Sequence, residues 1–204
     1  MLQYQSIEPK VLELLKTLQS FPLLSDMRLA GGTGLALQIG HRKSTDIDLF
    51  GNLNADPAEL DIMLSTFQDV KLLHRSQNIH VFAINKIKTD FVNYPYHWLE
   101  NSLNENGVRL AGEKDIAAMK LAAITGRGSK KDFIDIYFLL KKFSLRDLFG
   151  FYEEKFPDGS RFLVTKSLIY FNDAEEDVMP DMLKDVEWSH VKSEITQLLL
   201  TESL

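Results

Sequence analysis

The chain reads as an α+β (α/β) protein: a mixed β-sheet flanked by helices and followed by a C-terminal helical lobe. Three observations predict it. A short apolar segment, Met27 to Ala30, runs into Gly31-Gly32, an amphipathic stretch and then Asp46-Ile47-Asp48-Leu49-Phe50, where polar and apolar side chains alternate. Three further strand-like runs lie between residues 70 and 93. From about residue 113 the apolar residues recur only at helical spacing, which is the signal of a packed helical segment. The boundary is drawn there, with residues 1–112 as the core and 113–204 as the helical C-terminal region.

The elements follow in order. Residues 7–19 carry apolar side chains at 11, 12, 14, 15 and 18, a helical stripe. Met27 to Ala30 is the first strand and Leu35 to Ile39 the amphipathic segment. Asp56-Pro57 reads as a helix start, with Pro at the first helical position, and that helix extends to about Phe67. Val70 to His74, Ile79 to Ile84 and Ile87 to Asn93 are strands, the last two joined by a tight Asn85-Lys86 turn. Val108 to Ala111 is a short strand. Helices are expected over 114–125, 131–143, 145–156, 160–171 and 188–200, with an acidic loop at 172–177. If the first of these helices continues past its glycines, Lys120 and Arg127 share a side.

Composition narrows the classes. The 204 residues are 45% hydrophobic and 25% charged, ordinary values for a globular protein. With no cysteine, disulfides and thiolate metal sites are excluded. The five histidines, at 41, 74, 80, 97 and 190, lack zinc-site spacing. No apolar run approaches the ~20 residues that span a bilayer, and the N-terminus has no signal-peptide core, so a cytoplasmic location and no membrane partner are expected. A net charge of −6 argues against broad nucleic-acid binding but leaves room for a local basic groove.

The chemistry concentrates between residues 29 and 50. At a strand period of two, Asp46 and Asp48 share one face, roughly 6.7 Å apart at Cα. Side-by-side carboxylates repel, and a divalent cation relieves them; two ions about 3.5–4 Å apart are within their reach. Gly31 and Gly32 follow a strand and open a helix, where bare backbone and the helix dipole favour a phosphate. Thr33 and the basic turn at Arg42 and Lys43 are added as candidate triphosphate contacts. Either half of the pattern alone is common. Their succession is far more specific, and it points to nucleotide chemistry at two Mg²⁺ (or Mn²⁺) ions.

The stretch GGTGLALQIGHRKSTDIDLF resembles the glycine-pair and Asp-x-Asp motif of the DNA polymerase beta-like nucleotidyltransferases, and in particular the AbiEii/AbiGii toxin family of type IV toxin–antitoxin systems. A second block, KDIAAMKLAAITGRGSKKDFIDIYFLL, is similar to the family's lysine helix and the acidic block after it. Many members of the wider superfamily carry Gly-Ser where this chain has Gly31-Gly32, which leaves Thr33 to supply the hydroxyl. The resemblance implies a nucleotidyltransferase-like fold and NMP transfer from an NTP to an acceptor hydroxyl, with RNA, including tRNA, as acceptor and a cognate antitoxin as partner. It places a third carboxylate on a strand beside Asp46 and Asp48, and Asp90 is the match, completing the metal set and accepting the acceptor's proton. It implies that Lys120 neutralises the nucleotide's phosphates and that Asp132 orients Lys120 or Arg127 or helps activate the acceptor. Arg127 and Asp135 are equally well explained by an ion pair between helices. Two other readings use the same residues: a small-molecule, antibiotic-type nucleotidyltransferase, and a non-catalytic nucleotide- or partner-binding protein. The complete set Asp46, Asp48 and Asp90 weighs against the latter.

Overall fold

A computed structural model describes residues 1–53 and 56–202. The chain divides into two compact units. The first comprises residues 1–39, 44–95 and 102–111, and the second residues 40–43, 96–101 and 112–204. The division near residue 112 is thus accompanied by two short excursions, at 40–43 and 96–101, that belong with the helical part.

The first unit is built on a sheet whose seven strands, among the described residues, are β1 (Arg28–Leu29), β2 (Ile47–Gly51), β3 (Val70–Arg75), β4 (Ile79–Ile84), β5 (Ile87–Asn93), β6 (Leu103–Glu105) and β7 (Val108–Leu110). Their spatial order is β3-β4-β5-β2-β1-β7-β6. The sheet is mixed: β2 runs parallel to β5 and β1 parallel to β7, while the other neighbours are antiparallel. Helices α1 (Pro9–Ser20), α2 (Gly31–Ile39) and α3 (Pro57–Leu64) accompany it. The stripe expected on α1 is buried at Val11, Leu14, Leu15 and Leu18, in one core with Leu29, Ile47, Leu49 and Phe91. Full burial of each such side chain is worth about 1.5–3 kcal/mol. Asp56 caps α3 as its spacing predicts, accepting from Ala58 N at 2.7 Å while Glu59 reciprocates to Asp56 N.

The Asn85-Lys86 turn forms with both residues at positive φ, +49° and +66°, the geometry of a two-residue hairpin. The β6–β7 hairpin was not expected from the sequence beyond its second strand. Its turn is Asn106-Gly107, also at positive φ, and Asn-Gly is the strongest short hairpin signal.

The second unit holds α4 (Glu113–Ile124), α5 (Lys130–Leu139), α6 (Leu145–Lys155), α7 (Arg161–Leu168), α8 (Asn172–Glu175) and α9 (Trp188–Glu202). The short α8 occupies part of the segment expected to be an acidic loop. Ser144 and Asp147 form the predicted capping box of α6. Ile116, Leu121, Phe133 and Ile136 are fully buried. A buried ion pair, Lys155 Nζ to Asp115 at 2.7 Å, joins α6 to α4. The same groups bind the 96–101 segment, through His97 O on the lysine and Leu99 N on the carboxylate. That pairing fixes the excursion, in which Trp98 faces Lys155 and Tyr96 packs on Phe156.

Candidate active site

In the first unit, Asp48 lies on β2 directly opposite Asp90 on the parallel strand β5. Opposed residues on neighbouring strands share a face about 4.8 Å apart, so these two carboxylates stand side by side. Asp46 precedes the strand, which begins at Ile47, and is half-buried at its entrance. Lys88, two residues before Asp90 on the same face, pairs with both of its oxygens at 2.6 Å.

Gly31 begins α2 at φ +59°, in the left-handed region, and a Cβ there would collide with the Asp48 carboxylate. Two independent constraints therefore demand glycine: the backbone conformation and the close approach of Asp48. The amides of the first helical turn have no intrahelical acceptor and form the positive end of the helix dipole. The structure thus brings Gly31, Gly32, Asp48 and Asp90 to one place, with Asp46 next to it in the chain.

Thr33 differs from its expected role. Its side chain is fully buried, and its hydroxyl binds Asp46 O and Ser44 Oγ. It pins the loop that carries Asp46 and does not offer a hydroxyl to a nucleotide.

Hard carboxylate oxygens fit Mg²⁺, which is usually held by one or two carboxylates together with substrate phosphates and water rather than by a closed protein cage. The in-register Asp48/Asp90 pair meets that requirement. Among the described residues, no three or more His, Asp or Glu are grouped so that they could hold a metal ion, so Asp46 does not join Asp48 and Asp90 in one cluster.

The second unit contains a different arrangement of charge. Lys120 on α4 is only 4% exposed. Its Nζ lies 2.8 Å from Asp132 and 2.6 Å from Asp135, the two carboxylates that share a face of α5. Asp132 also accepts from Ser129 Oγ at 2.5 Å and Arg127 Nε at 3.2 Å. Asp135 is bound by Arg42 through Nε at 2.7 Å and Nη2 at 2.9 Å, and by His41 Nε2 at 2.7 Å.

Burial alone would raise the Asp135 pKa, but Lys120 and Arg42 outweigh it and hold the carboxyl well below its ordinary value. Asp132 is likewise lowered, burial being overcome by Lys120 and Arg127. Burial would lower the Lys120 pKa, yet the two carboxylates raise it, so the ammonium stays charged. For His41 burial wins over Asp135, and its pKa falls.

Two expectations change here. Arg42 is a buried partner of Asp135, not a triphosphate contact. Lys120 is enclosed between carboxylates rather than presented to a phosphate. The helix of Lys120 ends near its expected limit: α4 stops at Ile124, and Arg127 lies in the turn before Gly128, itself at φ +46°. Its side chain is 67% exposed while it reaches Asp132. Lys43 remains at the surface, where it pairs with Asp181 at 2.9 Å. The sequence signal for the buried network was the Asp132-x-x-Asp135 spacing. Nothing in it marked Arg42 and His41 as the partners, more than 90 residues earlier in the chain.

Comparison with known proteins adds the following. The family model of the nucleotidyl transferase AbiEii toxin, of type IV toxin–antitoxin systems, matches residues 13–95. An uncharacterized protein of Aquifex aeolicus (strain VF5), aq_aa25, is 37% identical over 186 residues, covering 88% of this chain and 89% of the relative. The crystal structure of JHP933 from Helicobacter pylori superposes with a TM-score of 0.57 at 20% identity, covering 96% of this chain and 93% of that one. MenT4, a nucleotidyltransferase toxin from Mycobacterium tuberculosis H37Rv, superposes with a TM-score of 0.54 at 16% identity, covering 95% and 86% of the two chains.

Proposed function

This chain belongs to the AbiEii nucleotidyltransferase toxin family and is a nucleotidyltransferase, and on that premise we propose that it transfers NMP from an NTP to a hydroxyl of an RNA acceptor in a metal-dependent reaction. The observation that carries the reading is the Asp48/Asp90 pair set against the N-terminus of α2, where Gly31 alone leaves room for the Asp48 carboxylate. Membership of a toxin–antitoxin family carries with it an NTP substrate and an antitoxin partner.

In this reading the acceptor oxygen bonds to the α-phosphorus, the bond to the β-phosphate breaks, and pyrophosphate leaves. Asp46, Asp48 and Asp90 would hold Mg²⁺, or Mn²⁺, which supplies charge neutralisation of the phosphates. The chain's own groups do the positioning. The Gly31 and Gly32 amides receive phosphate oxygens at the helix start. Thr33 keeps the Asp46 loop in place. Asp90 accepts the proton from the acceptor hydroxyl. Within the second unit, Lys120 fixes the Asp132 carboxylate, and Asp132 in turn tethers the exposed Arg127. Such catalysis rests on orientation and fixed electrostatics.

The test is an incorporation assay. Purified protein is incubated with Mg²⁺ or Mn²⁺, each α-labelled NTP in turn, and total cellular RNA, beside Asp48→Asn. Label in an RNA band, tRNA-sized or otherwise, that is absent with the variant supports the proposal. No label in RNA, with nucleotide binding intact, overturns the RNA acceptor and moves the assignment to a small hydroxylated acceptor or to a non-catalytic nucleotide binder.

A further inference from the structure

The sheet face that carries Asp48 and Asp90 continues past them across β5, β4 and β3. Directly opposed residues share a face, so the register lays the side chains out in rows. One row reads Asp48, Asp90, Val81, His74. On one side of it lies the row Lys88, Ala83, Lys71, and on the other Phe50, Val92, Ile79. A register shift between Leu72 and His74 returns His74 to this face.

The opposite face of these strands is the buried one, with Phe82, Ile84, Ile87, Thr89 and Phe91. On the open face Lys71 and His74 are exposed, Lys88 is 45% exposed, Ile79 is 39% exposed, and Val81 and Ala83 are half-buried. Small Ala83 separates two lysines that stand two strands apart, about 9.6 Å at the usual strand spacing. The carboxylate row is therefore bordered by a cationic row on one side and an apolar, aromatic-ended row on the other.

We propose that this face is the docking surface for the acceptor, a single strand of RNA. Its phosphates run along Lys88 and Lys71, its terminal base packs over Phe50, Val92 and Ile79, and its terminal sugar hydroxyl comes to the carboxylate row. The inference rests on the RNA-acceptor reading above and adds the surface that serves it. Charge complementarity selects the occupant: the chain carries −6 overall, yet the row beside the carboxylates is lysine. Cations for the backbone with apolar and aromatic groups for bases is the physical pattern of single-strand recognition. A second copy of the chain would bring lysine against lysine, and the lysine and register shift on edge strand β3 oppose strand addition. Lys88 pairs with Asp90, which sets the cationic row directly beside the carboxylate row.

The test is fluorescence anisotropy of a labelled single-stranded oligoribonucleotide titrated with the full chain, over a range of salt. Lys71→Glu should weaken binding about tenfold and flatten the dependence of log K on log salt by about 0.7 or more, the value for one lost phosphate contact on a single strand. Lys71→Gln should give a smaller loss in the same direction. Lys10→Glu makes the same charge change at an exposed lysine of α1 and should alter binding less than twofold. Equal losses for Lys71→Glu and Lys10→Glu, or no RNA binding by the unaltered chain, overturn the proposal. The two readings fail separately. Unaltered protein that binds RNA through Lys71 but labels no RNA retains the surface and removes the acceptor. Protein that labels RNA with a KM for RNA untouched by Lys71→Glu retains the acceptor and removes the surface.

Discussion

The two units handle charge in opposite ways. In the first, Asp48, Asp90 and Lys88 sit in register on the face of a sheet, half-buried or exposed, with like charges left as neighbours. In the second, Lys120, Arg42, Asp132 and Asp135 are buried and close on each other, two cations against two anions. Charge at an open face is within reach of a ligand. Charge that is already matched in the interior holds helices and loops in register. The difference separates groups suited to meet a substrate from groups that keep the scaffold in place.

The sharpest way to break the comparison is Asp48→Asn. Removing one of two adjacent carboxylates takes away a cation ligand but also a repulsion, so transfer should fall by about 10³ or more while the fold is kept. Incorporation rate and urea unfolding, measured on the same preparation, check both halves. A variant with full activity would remove Asp48 from the metal set, and one that unfolds would make it a structural residue.

Asp135→Ala should do the reverse. It strands Arg42 and Lys120 in the interior without their shared carboxylate. Breaking a buried pair by removing one partner costs about 3–5 kcal/mol, so the urea midpoint should drop steeply. A loss below about 1 kcal/mol would mean that water reaches the network and that it is not closed in solution.

Acid should act on the second unit through the same groups. Asp132 and Asp135 both have folded pKa values below their ordinary ones. A depressed carboxyl contributes stability that is fully present above its unfolded pKa, about 3.9, and is lost as pH falls through the folded value. Stability should therefore be flat in these groups at neutral pH and decline below about pH 4. With Asp135→Ala that acid-dependent part should shrink. An unchanged slope would assign it to other carboxylates.

In both units, what the sequence makes legible is local, and what it hides depends on contacts between distant residues. Alternation in Asp46-Ile47-Asp48-Leu49-Phe50 and the glycine pair announce a strand and a helix start because both are local rules. The capping residues Asp56 and Ser144 were readable for the same reason, since their partners lie two or three residues away. The alliance of Arg42 and His41 with Asp135 spans more than 90 residues, and a basic turn beside an Asp-x-Asp reads naturally as a phosphate contact. Thr33 misleads in a similar way: its position after the glycines fits a nucleotide contact, but only packing reveals that its hydroxyl is used by the Asp46 loop. The row of side chains leading from Asp90 to His74 and Lys71 depended on strand register, including a shift at Leu72, which no local pattern encodes.

Lys43 tests where the divide falls within a single turn. It adjoins Arg42 in sequence but lies at the surface, 50% exposed and paired with the more exposed Asp181. Such pairs are worth about 0–1 kcal/mol, so Lys43→Ala should leave the urea midpoint nearly unchanged, in contrast to Asp135→Ala. Its remaining candidate role is the triphosphate. On that role the variant should raise the KM for NTP several-fold and lose part of the salt dependence of nucleotide binding, because a surface cation acts on phosphate as a screened point charge. An unaltered KM would make both members of the basic turn scaffold residues, Arg42 by burial and Lys43 by its bond to Asp181, and would leave the Gly31-Gly32 helix start as the phosphate site of the first unit.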